Sequence, residues 1–371
     1  MQVWRTTLVA NDPDRNWFAV WNRGGLVEPA MYRGGLVEPA MYSLIDEQGN
    51  PVFLVRKRLR PSTWIDGNLC YAFSIPNIPP GRYLLTAIGN TVATINVVPW
   101  SVPDCPPVIS NRTFVDESLE INQPGILYRN CVFKRTSVYA SNGLFLNCEW
   151  QGLATPGIGE THAFSTWGAN GPLAIIGGLF DGTDRGPVLN LMTGSNITEP
   201  LFLGLTLRGI SHIDGGNELL CVEARRRPDG ELMFPTATVM RPIVSGWRCY
   251  NNEGDVYIAA PTENMLMQDV VIDRGSIVAF KDSLSGGMIC GSELRNGRII
   301  LADGDKVKVM RCALLDRRPT RGNRTYTERF FYEPKLNEKA AAIYNLPDGL
   351  TANGEFANGV SVQECHFREH P

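Results

Sequence analysis

The chain is written in short apolar stretches of strand length separated by turn residues, and long runs of helix formers are missing. Two stretches, ILYRNCVF and GLFLNCEW, share one form: aliphatic or aromatic residues, then Asn-Cys, one further position and an aromatic. The first ends Asn130, Cys131, Val132, Phe133 and the second Asn147, Cys148, Glu149, Trp150. Related stretches follow as LAIIGGLF, LFLGLTL, ATVMRPIV, MLMQDVVI, MICGSEL, VKVMRCALL and VSVQECHF. Each has an apolar run, a small, polar or turn-prone position, and a second short strand. Their unequal spacing, with one long gap before the last, is what stacked coils produce when their turns carry loops of different lengths. The recurring Asn or Cys is expected at a bend, with the Cys pointing into a stack of similar residues.

Residues 1–100 carry a different pattern. Strand-like runs such as QVWRTTLVA, WFAVW, PVFLVRKRL, CYAFSIP, RYLLTAI and TVATINVV are separated by turn signals. In IPPGRYLLTAIGNTVATINVV a Gly-Asn turn joins two strands as a hairpin, with Tyr83, Leu85 and Ala87 on one face. A small immunoglobulin-like β-sandwich is the expected unit here, followed by a linker at 101–107. The decamer RGGLVEPAMY occurs twice in tandem, at 23–32 and 33–42, and is expected in a loop where insertion costs little.

Composition supports an all-β chain with more than one domain: 371 residues, 37 Gly, 25 Pro and 20% charged side chains. The net charge of −3 supplies no global field that would draw the protein onto nucleic acid or anionic lipid. The opening MQVWRTTLVANDPDR lacks a signal-peptide pattern and no run is long and apolar enough for a bilayer, so synthesis in the cytoplasm is expected. Nine widely spaced cysteines without a CxxC pair read as small buried hydrophobes, not as a zinc or redox centre. The sequons at Asn111, Asn196 and Asn323 carry no weight without secretion.

The YRNCVF and FLNCEW rungs resemble right-handed parallel β-helix proteins of the pectate-lyase-like class, over residues 108–371 with a long loop insertion at about 317–358. That resemblance implies a fold and not an activity, because the fold serves polysaccharide lyases and hydrolases, phage tailspikes and structural virion proteins. The motif types of its pectin hydrolases, NTD, a double Asp, GHG and RIK, are absent. Resemblance to phage β-helix proteins implies a homotrimer with the helices side by side.

Candidate acids for sugar chemistry are Asp181, Asp184, Asp214, Glu253, Asp255, Asp269 and Asp273, each of which equally suits turn capping or a solvated face. ADGDKVK at 302–308 lacks the ligands of a calcium loop. His162, His212, His366 and His370 are scattered outside any catalytic motif. No catalytic residue, metal ligand or cofactor is assigned. Trp167, with His162 nearby, and Trp247, Tyr250 and Tyr257 are candidates for an aromatic glycan-binding wall.

The basic clusters are the most suggestive surface feature. Strand alternation aligns Arg56, Arg58 and Arg60 of VRKRLR on one face, Arg225, Arg226 and Arg227 precede a Pro-Asp-Gly turn, and Arg317, Arg318 and Arg321 fall in the long interruption before the last coil. They are expected to dock a partner, either a major capsid protein or a tail component. Taken together, the expectation is a bacteriophage virion protein, a capsid decoration or cement protein, with a tailspike acting on host glycan as the alternative. A free bacterial polysaccharide enzyme is the third reading, and neither nucleic acid nor membrane is an expected partner.

Overall fold

A computed structural model describes residues 1–21, 42–57, 70–75, 77–99, 105–152, 163–166, 168–169, 171–182, 188–192, 194–209, 218–223, 237–250, 254–279, 283–295, 299–301, 305–316, 351–355 and 361–369. The described residues form β-strands and turns, with no helix among them. The tandem decamer lies almost wholly outside the described residues.

From Val108 onward the strands pair in parallel with the strand one level further along, which builds a nineteen-stranded and an eight-stranded sheet. These large parallel sheets are compatible with a β-helix-like fold. Successive levels differ greatly in chain length: Asn130 and Asn147 are 17 residues apart, Arg311 and Glu364 are 53 apart. The extra residues lie between the levels' strands, so register survives unequal loops.

One corner is turned in the same way at every level. Asn111, Asn130, Asn147, Gly177, Gly204, Gly246, Asp269, Gly291, Arg311 and Glu364 all have φ between 49° and 68°. The left-handed region costs most residues about 1–2 kcal/mol, and Gly and Asn are the residues that tolerate it. Side chains on neighbouring levels then bond along the corner. Asn130 Nδ2 donates to Asn111 Oδ1 at 3.3 Å, Asn147 Nδ2 to Asn130 Oδ1 at 3.0 Å, and Arg311 Nε to Glu364 Oε2 at 2.7 Å. The expected Asn-Cys bend is therefore present, and the cysteine after it points inward: Cys131, Cys148, Cys312 and Cys365 are all buried. Each of the four thiols donates to a carbonyl one level back, as Cys148 Sγ does to Tyr128 O at 3.5 Å.

Two units were aligned differently by sequence. ATVMRPIV spans a different corner, where Arg241 (φ 51°) stacks with Glu199 and Asn264, and the unit at the main corner is IVSGWRCY, with Gly246 as its bend. The first level is VISNRTFV, 108–115, which has Arg112 where the next two levels have Cys131 and Cys148. The Arg112 guanidinium lies 4.5 Å from the centre of the Phe114 ring. That ring begins an interior column, Phe114, Phe133, Trp150 and Phe180, with successive centroids 5.2, 5.0 and 4.4 Å apart.

At the far end Thr351–Glu355 runs antiparallel to Ser361–Glu369, on the last level.

The N-terminal residues form two smaller sheets. Gln2–Trp4, Trp17–Trp21, Cys70–Ser74 and Val55–Lys57 are antiparallel neighbours in that order. Thr7–Val9, Asn90–Val98, Gly81–Ala87, Tyr42–Ile45 and Pro51–Val52 make the other. A buried cluster containing Phe18, Val20, Tyr71, Phe73, Leu44, Tyr83, Leu85 and Ile95 joins them. The hairpin is as expected for Tyr83, Leu85 and Ala87, all buried, but its two turn residues are Ile88 (φ 51°) and Gly89 (φ 76°).

The opposite face of the first sheet packs on the large parallel sheet. Trp4, Trp17, Ala19, Trp21 and Ala72 share one buried cluster with Leu127, Leu144, Ala174, Ile176, Leu201 and Leu203. Indole N–H groups fasten the contact: Trp21 Nε1 donates to Glu199 O at 3.0 Å and Trp4 Nε1 to Ile126 O at 3.3 Å. Arg5 donates to Gly125 O, and burial pushes its guanidinium pKa down to about 10. Arg129 pairs with Asp14 at 2.8 Å. Each buried tryptophan contributes about 4–6 kcal/mol as an upper bound from its area.

Two changes test these assignments. Ile88→Asn replaces an exposed β-branched residue held in a left-handed turn, and is expected to raise stability by about 1 kcal/mol as a higher urea midpoint with unchanged slope. Trp21→Phe leaves the Glu199 carbonyl without its donor, and is expected to cost about 2 kcal/mol in the same measurement.

Candidate functional site

The eight-stranded sheet runs through Ser118–Ile121, Ser137–Ala140, Phe164–Thr166, Leu189–Met192, Glu218–Glu223, Asp255–Ile258, Ile277–Ala279 and Ile299–Leu301. Alternation gives each strand an inward and an outward row. Val138, Phe164, Leu189, Leu220, Val256, Ile277 and Ile299 belong to the central core. Between them, in register, lies the outward row Tyr139, Ser165, Asn190, Cys221, Tyr257.

These five neighbours are neutral hydrogen-bonding side chains. Ser165, Asn190 and Cys221 are buried although they point away from the core, while Tyr139 and Tyr257 are half-buried at the two ends. Ser165 Oγ has no hydrogen-bond partner. A buried hydroxyl in that state costs about 1–3 kcal/mol, so the row holds unspent bonding capacity. At about 4.8 Å per level the row extends roughly 19 Å. The adjacent outward face, beyond the main corner, is of another kind, with exposed Lys134, Arg208, Tyr250 and Arg295. The row was legible in principle, as the triplets VYA, FST, LNL, LCV and VYI, four of them with one hydrogen-bonding residue between apolar ones, but they are too short to stand out.

Of the proposed aromatic wall, Trp247 is fully buried inside the stack, where its Nε1 donates to Phe202 O at 3.1 Å, so it packs the core and is not a glycan platform. It follows the Gly246 bend, at the position that Cys131, Cys148, Leu205, Cys312 and Cys365 fill on other levels, all buried. Tyr250 is 42% exposed, and Tyr257 lies on a different sheet. The structure therefore does not bring the wall together. Trp167 and His162 lie outside the described residues.

The described acids are engaged in the scaffold. Asp181 pairs with Arg208 at 2.7 Å, Asp269 holds Arg248 through both oxygens at 2.9 and 3.0 Å, and Asp273 pairs with Arg295 at 3.3 Å. Asp255 is buried and accepts the Ser276 backbone N–H. Asp116 and Arg135 make the same kind of pair at the second corner, where the Arg135 contact holds the carboxyl below its usual range. Asp184, Asp214, Glu253 and His212 lie outside the described residues. No group of three or more His, Cys, Asp or Glu side chains suited to a metal is found among the described residues.

Of the docking arginines, Arg56 lies in the edge strand Val55–Lys57, in register with Phe73. Arg58, Arg60, Arg225, Arg226, Arg227, Arg317, Arg318 and Arg321 lie outside the described residues. All nine cysteines are buried free thiols, as their spacing led one to expect. No protein-family model and no curated protein matches this chain.

Ser165→Ala removes a buried hydroxyl that nothing in the fold uses. The expected result is an unfolding midpoint unchanged or raised by up to about 1 kcal/mol, measured by urea titration; a clear loss would mean that the hydroxyl holds the sheet.

Proposed function

We propose that the chain is a structural protein of a bacteriophage particle, a capsid decoration or cement protein that stabilises the head shell. The observation that carries the non-catalytic reading is the engagement of Asp181, Asp255, Asp269 and Asp273 in ion pairs and backbone caps. In this reading residues 1–100 are an immunoglobulin-like β-sandwich, 101–107 a linker and 108–371 a right-handed parallel β-helix interrupted at about 317–358, assembled as a homotrimer on the virion. Docking to the major capsid protein is assigned to the arginine clusters at 56–60, 225–227 and 317–321, where charge pairs set register more than strength. Apolar surface buried against the shell, at roughly 25 cal/mol per Å², opposes the pressure of packed DNA.

The second reading is a tailspike that binds or cleaves host glycan. The outward row from Tyr139 to Tyr257, with the unpartnered Ser165 hydroxyl, favours it, because neutral donors and acceptors flanked by aromatic rings suit a hydroxyl-rich ligand.

Quantitative mass spectrometry of purified particles separates the two. A copy number equal to that of the major capsid protein, or a simple fraction of it, is the expected result. A ratio matching the few tail components would transfer the assignment to the tailspike, and absence from particles would end both. With the decoration reading in place, the folded Arg56→Glu, Arg58→Glu, Arg60→Glu triple variant is expected to be missing from particles.

A further inference from the structure

Cys312 and Cys365 occupy the same corner position on the last two levels. Met310 pairs with Gln363 and Ala313 with His366, so the two cysteines face each other across one parallel step. Neighbouring strands stand about 4.8 Å apart, which lies within the roughly 4.4–6.8 Å between α-carbons that a disulfide spans. Both side chains are buried. Both sulfurs lean back toward the preceding level, Cys365 Sγ reaching Val309 O at 3.5 Å and Cys312 Sγ reaching Ile289 O at 3.6 Å. The neighbouring Cys312 holds the Cys365 thiol below the ordinary range, while Cys312 itself rises.

What distinguishes this pair is the chain between its members. The two levels are joined by an excursion of about 53 residues, the separation of the adjoining Arg311 and Glu364. A covalent bond gains most where it closes a long loop. Cys131 and Cys148 stand in the same register, yet their level is closed by a much shorter segment, the 17 residues that separate Asn130 from Asn147.

We infer that Cys312 and Cys365 form a peroxide-driven, reversible disulfide that locks the last level onto the stack. The Cys365 thiolate attacks one peroxide oxygen, the O–O bond breaks, and hydroxide leaves to be protonated to water, giving a sulfenic acid. The Cys312 sulfur then attacks the Cys365 sulfur, the S–O bond breaks, and the Cys312 proton departs with the oxygen as a second water. In net terms two thiols are oxidised and one peroxide is reduced to two waters.

The test is to treat the reduced full-length protein with equimolar hydrogen peroxide, alkylate the remaining thiols under denaturing conditions and map the peptides by mass spectrometry. The expected result is a linked peptide containing Cys312 and Cys365, cleaved by dithiothreitol, together with a thermal midpoint that rises on oxidation and returns on reduction. Cys312→Ser is expected to remove both effects and Cys131→Ser neither. If Cys312→Ser fails to fold, the map of the unmodified chain still decides the question. Unreacted thiols, sulfinic acid at Cys365 without a crosslink, or a crosslink at Cys131–Cys148 alone would overturn the inference.

Discussion

Everything in the large parallel sheets depends on a backbone constraint: the chain must turn the same corner through the left-handed region once per level. Ten positions meet it, from Asn111 to Glu364, and they meet it in chemically different ways. Asparagine tolerates the conformation and lends its amide to the next level, glycine accepts it without a side chain, and Asp269, Arg311 and Glu364 offset the strain with ion pairs. Once the corner is fixed, the residue after it faces inward on the levels beyond the first. The thiols, Trp247 and Leu205 all occupy that position.

The second dependence is of the N-terminal sheets on the first levels. The outer face of a parallel sheet would ordinarily meet water, but Leu127, Leu144, Ile176 and Leu203 are apolar there because Trp4, Trp17 and Trp21 cover them. The two indole N–H donors and Arg5 satisfy carbonyls at Gly125, Ile126 and Glu199 that this cover cuts off from solvent. Apolar packing supplies the affinity of the two parts, and the polar contacts supply the register.

The sequence announces the corner more clearly than the surface. Asn-Cys at 130–131 and 147–148 marks both the bend and the inward step, and the same grammar survives in Gly246-Trp247 and Arg311-Cys312. It fails where a different corner imitates it, as Arg241 does, and on the first level, where Arg112 after the bend is exposed and lies against the Phe114 ring. Trp247 is a related case: an aromatic next to glycine and arginine resembles a surface platform, and only the register shows that it is core. The row from Tyr139 to Tyr257 is spread over five strands joined by segments of unequal length, so its members become neighbours only through level-to-level pairing.

Thr351–Glu355 reverses the direction of pairing on the last level. A parallel stack is a template that another chain's strand can extend indefinitely, the hazard that leads to fibres. An antiparallel strand laid along that edge takes up backbone groups that a further parallel level would otherwise use. The edge of Ser361–Glu369 is thereby covered by a strand of the same chain.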